Sequence, residues 1–209
     1  MKHKLYEHPI FAISVYSTIL SGTYDSQIIE SVENLSKDSK GRQVSNRGGW
    51  QSELYDNTMY DSPGIFNIFE TEITPIARKI WKEWGMPFEG KNLCYWYNIN
   101  RKYNFNALHN HPNSYMSGVY YLKVPKNSGN IVFRRCEAEA DRMHFLSTEL
   151  EKFSTSVDNK HINNLHWVPP EPSKLILFPG HLNHEVEQNL TEDEDDRRIS
   201  FSFNYFLRT

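Results

Sequence analysis

Apolar and polar positions follow two different periods along this chain, and the change falls near residue 92. Before it, Ile28, Ile29, Val32 and Leu35 recur at helical spacing, which predicts a helix over 25–38 with Asp25 or Ser26 as N-cap. A second stripe of Ile68, Ile73, Ile76, Ala77, Ile80 and Trp81 predicts a helix over about 66–85, stopped by Gly85-Met86-Pro87. Residues 39–64 are polar and glycine-rich and read as a long loop with short extended pieces, in which Trp50 is a packing anchor. Upstream, the apolar run Ile10–Leu20 predicts a strand over 9–16.

After Asn92 the pattern becomes that of strands. Leu93–Ile99 is aromatic and extended, and further strands are predicted near 107–111, 115–124, 130–134, 162–168, 174–178, 183–187 and 197–207. That is about the eight strands of a double-sheet jelly roll. Residues 135–161 break the rhythm: they are charged, and Glu137–Phe153 fits a helix, so the segment reads as an insertion, either a lid or a surface excursion. The acidic run Glu192–Asp196 reads as a solvated hairpin tip. The predicted fold is mainly β with flanking helices, a jelly-roll, cupin-like barrel.

Length places all of this in one domain, 1–209, with 9–92 supporting a barrel core over 93–209. A net charge of −3 gives no general attraction to nucleic acid or anionic lipid. No run approaches the ~20 apolar residues of a membrane span. Lys2 and Lys4 ahead of Ile10–Leu20 mimic a signal peptide, but Ser14, Tyr16, Ser17 and Thr18 interrupt the run and Glu7 sits in the basic region. With only Cys94 and Cys136, the chain suits a reducing, cytoplasmic setting and offers no cysteine-based zinc site.

The candidate chemistry lies in histidines. His109 and His111 are one residue apart, so on an extended chain both imidazoles share a face. Imidazole suits iron, copper, nickel and zinc, and His184 in Leu175-Ile-Leu-Phe-Pro-Gly-His-Leu-Asn-His184 offers a distant third ligand. His3, His8, His144, His161 and His166 have no partner at ligand spacing and read as surface or core. Arg198 opens a strand on which Arg198, Ser200, Ser202 and Asn204 alternate with Ile199, Phe201, Phe203 and Tyr205. If the apolar face meets the core, the polar face meets water or a wet cavity. An arginine inside a barrel requires a carboxylate, which a small dicarboxylate ligand would supply. An exposed edge strand with Arg198 in water is the plainer alternative.

Together these motifs resemble the iron(II)/2-oxoglutarate-dependent oxygenases, in particular a group common in marine bacteria and their phages. The resemblance rests on Asn106-Ala-Leu-His-Asn-His-Pro112, Ser117-Gly-Val-Tyr-Tyr-Leu122, Leu177-Phe-Pro-Gly180, His184-Glu-Val186 and Arg198-Ile-Ser200. Tyr-Tyr-Leu and His-Glu-Val segments like these occur in the prolyl hydroxylase branch. The resemblance implies a dioxygenase, a hydroxylase using Fe(II), 2-oxoglutarate and O2 and releasing succinate and CO2. Carried onto this chain, His109, His111 and His184 would hold the metal, Arg198 the distal carboxylate of 2-oxoglutarate, Tyr121 would donate to that carboxylate, and Ser200 would assist. Most of the superfamily carries an acidic residue where this chain has His111. Asn110 cannot take over, because it leaves the opposite face of the strand. That departure keeps a second expectation open, a three-histidine cupin-type metalloenzyme that does not use 2-oxoglutarate. The expected substrate is a small molecule or a peptide side chain.

Overall fold

The second half of the chain alternates between two sheets, and the alternation of its side chains decides what each sheet face meets. The computed structural model describes residues 13–56, 58, 60–86, 92–135 and 165–206. Strands β1 (Tyr16–Ile19), β3 (Trp50–Gln51), β4 (Tyr55–Asp56), β5 (Leu93–Asn100), β7 (Met116–Lys123), β10 (Lys174–Pro179) and β12 (Arg198–Tyr205) form a seven-stranded sheet in the order β1-β10-β7-β12-β5-β3, with β4 also on β5. Strands β2 (Asn46–Arg47), β6 (Phe105–His109), β8 (Ile131–Arg134), β9 (Leu165–Val168) and β11 (His184–Val186) form a second sheet in the order β2-β6-β11-β8-β9. All pairings are antiparallel. From β5 to β12 the chain switches between the sheets repeatedly, which is the double-sheet jelly roll the strand pattern predicted.

Each sheet face has its own core. On β12, Ile199, Phe201, Phe203 and Tyr205 are buried against the helices, together with Tyr95, Tyr97, Tyr120 and Phe69. Burying side chains of this size contributes ~1.5–3 kcal/mol each. Between the sheets lies a smaller cluster of Val119, Tyr121, Ile131, Phe133, Ile176 and Phe178. Arg198, Ser200, Ser202 and Asn204 line the cavity on that inner side. The polar face of β12 therefore meets a cavity, and the exposed-edge alternative fails.

Helix α1 spans Asp25–Asp38, as its stripe predicted, with Ile28 and Val32 buried. Its capping differs. The N-cap residue is Tyr24, without a side-chain cap bond. The Asp25 carboxylate instead accepts from Tyr120 Oη and Ser173 Oγ, both at 2.7 Å, and ties the helix to the sheet. The second helical run starts earlier than expected, because Ser62 caps it (Ile65 N to Ser62 Oγ, 3.3 Å) and Pro63 fits its first turn. It comprises α2 (Pro63–Ile68), a π-helical turn (Phe69–Ile73) and α3 (Thr74–Glu83). The π-turn accommodates the wide Ile68-to-Ile73 step and keeps both residues buried on one stripe. Gly85 follows with φ +71°, the left-handed stop its position suggested, whereas Pro87 lies outside the described residues.

Two further expectations are corrected. The first strand is Tyr16–Ile19 rather than 9–16; residues 13–15 form no regular element and 9–12 lie outside the described residues. Its register on β10 runs from Tyr16–Leu177 to Ile19–Lys174, and one more pair of steps upstream would meet Pro179, which has no N–H for the ladder. The acidic run 192–196, exposed over 192–195 and half-buried at Asp196, joins β11 to β12 across the two sheets, so it is a crossover and not a hairpin tip. Lys102–Glu194 (2.6 Å) and Lys123–Asp196 (2.8 Å) tie it down. Of the predicted insertion, 136–161 lies outside the described residues, as does the Glu137–Phe153 helix. Trp50 packs against the helical core, with Nε1 donating to Ser39 O at 3.0 Å. No helix among the described residues is long and apolar enough to cross a membrane.

Candidate metal centre

Two neighbouring strands and one turn bring the histidines together. His109 ends β6 and stands directly opposite His184, the first residue of β11. His111 is not on the strand, contrary to the sequence expectation. The ladder stops at His109, and His111 begins a turn through Pro112 and Asn113, the latter at φ 66°. That turn is held by His111 N donating to Gly180 O (2.8 Å), Ser114 N to His111 O (3.1 Å) and Gly180 N to Tyr115 O (3.3 Å). Glycine is required at 180, since a Cβ there would lie 2.3 Å from Ser114 O. The Phe-Pro-Gly segment thus clamps the turn carrying His111 to the loop leading into His184. Asn110 is exposed, and its Nδ2 donates to Asn183 Oδ1 at 3.0 Å.

The ligand nitrogens of His109, His111 and His184 all lie within 4.8 Å of one another. His111 Nε2 and His184 Nε2 are 3.2 Å apart. Two nitrogens held at ~2.1 Å from one ion at a right angle would be separated by about 3.0 Å, so this spacing suits a shared ion. Outer hydrogen bonds fix the tautomers. His109 Nδ1 lies 2.7 Å from Ala107 O and His184 Nδ1 lies 2.9 Å from Leu182 O, so each Nδ1–H donates and each Nε2 keeps its lone pair. Asn204 hydrogen-bonds the His111 ring, and Trp96 stacks on it at 5.6 Å.

Burial keeps these rings neutral, as metal ligands must be. Desolvation lowers the His109 pKa. Desolvation, with His109 nearby, pushes His111 down to about 4. The same burial, with both neighbouring imidazoles, pushes His184 down to about 3. Three convergent neutral donors, two of them with fixed tautomers, fit a divalent ion.

A cavity of about 290 Å³ between the sheets joins this triad to Arg198. Arg198 is 1% exposed, and its Nη1 donates to the backbone carbonyls of Ser128 and Gly129. No carboxylate pairs with it among the described residues. Two carbonyl contacts leave a buried guanidinium under-compensated, and burial lowers its pKa. Tyr121, also 1% exposed, has a hydroxyl with no hydrogen-bond partner among the described residues. Burial raises its pKa to about 12, so it stays a donor. Ser200, two residues along β12 from Arg198, stands opposite Tyr121 on one side and Asn98 on the other. A buried cation and an unused donor beside a cavity fit a carboxylate ligand.

A family profile described as 2OG-Fe(II) oxygenase matches residues 94–204, more than half of the chain. The chain belongs to this family. It is therefore an Fe(II)- and 2-oxoglutarate-dependent oxygenase, and the expectation of a cupin that does not use 2-oxoglutarate falls. No curated protein matches the sequence. Among solved structures, the oxygenase is similar to a Pseudomonas putida prolyl-4-hydroxylase (12% identity, TM-score 0.65, covering 94% of both chains). It is also similar to a Trichoplax adhaerens prolyl hydroxylase in complex with a hypoxia inducible factor peptide fragment (13%, TM-score 0.59, 93% of this chain and 83% of that one). HygX from Streptomyces hygroscopicus, solved with nickel and 2-oxoglutarate, aligns at 13% identity and TM-score 0.58 over 94% and 85%. At these identities the likeness concerns the double-stranded β-helix fold.

The sequence reading missed several residues of the oxygenase's cavity. Trp96, Asn98 and Asn100 line it from β5 and Gln51 from β3. The signal was present in β5, where Cys94, Trp96, Asn98 and Asn100 occupy alternate positions.

Proposed function

We propose that His109, His111 and His184 hold the Fe(II), that Arg198 and Tyr121 hold the distal carboxylate of 2-oxoglutarate, and that Ser200 lines that arm. The observation that carries this reading is Arg198, a buried cation without a carboxylate partner, standing beside the orphaned Tyr121 hydroxyl in the triad's own cavity. With Fe(II) and 2-oxoglutarate bound, O2 is used to oxidise a substrate while 2-oxoglutarate becomes succinate and CO2. The chain's task is placement. The Nδ1–H bonds to Ala107 and Leu182 aim two lone pairs, the Gly180 clamp presents the third ring, and Arg198 fixes the far end of the cosubstrate. The three donors are neutral, so charge balance at the ion falls to the 2-oxoglutarate dianion rather than to a protein carboxylate.

The substrate we propose is a peptide side chain or a small molecule, with hydroxylation as the reaction. The similar structures include one with a peptide fragment and one of HygX with hygromycin B. Residues 1–209 are read as one domain, working in the cytoplasm. Thermal shift of the manganese-loaded protein tests the cosubstrate. 2-Oxoglutarate should raise the midpoint at millimolar concentration, and citrate should not. Equal shifts with both would remove the assignment of Arg198 and Tyr121.

A further inference from the structure

The cavity has a second lane, on the side of β5 and β3 away from Tyr121. Arg198, Ser200 and Tyr121 account for one arm, and the cross-strand row continues past Ser200 to Asn98 and then Gln51. Asn98 is 5% exposed, and its Nδ2 donates to Ser202 Oγ at 3.3 Å. Its Oδ1 is buried and has no partner among the described residues. Gln51 and Asn100 are 4% and 2% exposed and line the same wall. Beyond them Asn106 contributes a third asparagine, with Nδ2 on Ser45 Oγ at 3.2 Å.

A buried amide oxygen without a donor is costly and rare in native proteins. 2-Oxoglutarate cannot satisfy it, because at neutral pH all its polar atoms are acceptors. The missing partner must bring an N–H or O–H of its own. Charge narrows the class further. The cation of this wall, Arg42, faces Glu53 at 3.6 Å, and no acidic side chain lines the cavity among the described residues. The exposed Val44 and Leu54 add apolar surface beside it.

We infer that the Gln51–Asn98–Asn100 wall is the substrate-recognition surface, and that it takes an uncharged group bearing an N–H or O–H donor, accepted by Asn98 Oδ1. Asn98 is a specificity-determining residue, and its role is to orient that neutral group beside the triad. The inference rests on 2-oxoglutarate occupying the Arg198 arm.

The test is ligand-observed NMR on the full chain loaded with zinc and saturated with 2-oxoglutarate. The probes are N-acetylglycinamide for amides, methyl glucoside for hydroxyls, and N-acetylglycinate as a matched anion. At least one neutral probe should show saturation transfer, and the anion should bind at least fivefold more weakly. Asn98→Ala should weaken the neutral probe at least tenfold while leaving the 2-oxoglutarate dissociation constant within threefold. Asn98→Ser, closer in polarity, should give an intermediate loss and guards against a folding defect, which thermal melting would reveal. Preference for the anion overturns the inference. So does a tenfold loss of 2-oxoglutarate affinity in Asn98→Ala, which would place the free amide atom on the cosubstrate. If wild type fails to bind 2-oxoglutarate at all, it is the cosubstrate reading that falls.

Discussion

Tyr121→Phe should make the protein more stable and the cosubstrate weaker, and the opposite signs are what make the substitution informative. The phenol is 1% exposed and its hydroxyl has no partner among the described residues. A buried polar group left unsatisfied costs ~1–3 kcal/mol. Deleting the oxygen recovers part of that, so without ligands the variant should gain about 1 kcal/mol, which for a chain of this size raises the melting midpoint by roughly 2–4 °C. With 2-oxoglutarate bound, the hydroxyl donates to a charged acceptor, a bond worth ~1.5–3 kcal/mol. At ~1.4 kcal/mol per tenfold, its loss weakens 2-oxoglutarate by roughly tenfold to a hundredfold. Scanning fluorimetry without cosubstrate reads the first number. Calorimetric titration without oxygen, with manganese in the site, reads the second. A variant that is less stable than wild type yet binds 2-oxoglutarate equally well would mean that the hydroxyl serves the fold and not the ligand.

His111→Ala should lower metal affinity by more than tenfold, since even outer-shell losses typically cost ~10–100-fold, whereas His111→Asp should keep the ion; metal titration decides both. Gly180→Ala leaves all three histidines in place but drives a Cβ to 2.3 Å from Ser114 O, so it should also weaken the metal at least tenfold, with the circular dichroism of the sheets unchanged. Between pH 7.5 and 5.5 metal affinity should change by less than about tenfold, the most that one imidazole at its ordinary value of ~6.5 would contribute. The pKa values of His111 and His184 are depressed to about 4 and about 3, so protons compete for these two only in more acid solution, and burial lowers that of His109 as well. Three imidazoles titrating near ~6.5 would instead each be roughly 90% protonated at pH 5.5 and would together weaken the ion about thousandfold. The same depression has a stability sign in the metal-free protein. Below ~6.5 the unfolded chain binds more protons than the folded one, so stability falls as pH drops from there toward 4.

Strands were legible where one face is apolar and the other is not. β12 is the clearest case: its alternation put Arg198, Ser200, Ser202 and Asn204 on one polar face, and that face lines the cavity. Strand β5 was harder, because both faces are buried and the aromatic run Tyr95-Trp96-Tyr97 conceals the polar alternation that carries Asn98 and Asn100. The histidine triad was found from spacing, but two residues one apart look the same on a strand and entering a turn. Only the Gly180 clamp, sixty-nine residues further along the chain, tells them apart. Asp25 shows a similar limit. Local rules make it a cap, and distant Tyr120 and Ser173 take both of its oxygens. The carboxylate expected for Arg198 was that of a small dicarboxylate ligand, and among the described residues no protein carboxylate pairs with it.

The central claim is that Arg198 exists to receive a dicarboxylate, and its substitution tests that directly. Arg198→Met and Arg197→Met are titrated with 2-oxoglutarate by calorimetry, without oxygen and with manganese bound. Arg197 leaves the opposite face and pairs with Glu33 of α1, so its replacement should leave the dissociation constant within about threefold of wild type. Removing one partner of a desolvated, hydrogen-bonded charge pair costs ~2–5 kcal/mol, so Arg198→Met should raise the constant at least thirtyfold. An Arg198→Met protein that binds 2-oxoglutarate as wild type does would contradict the account.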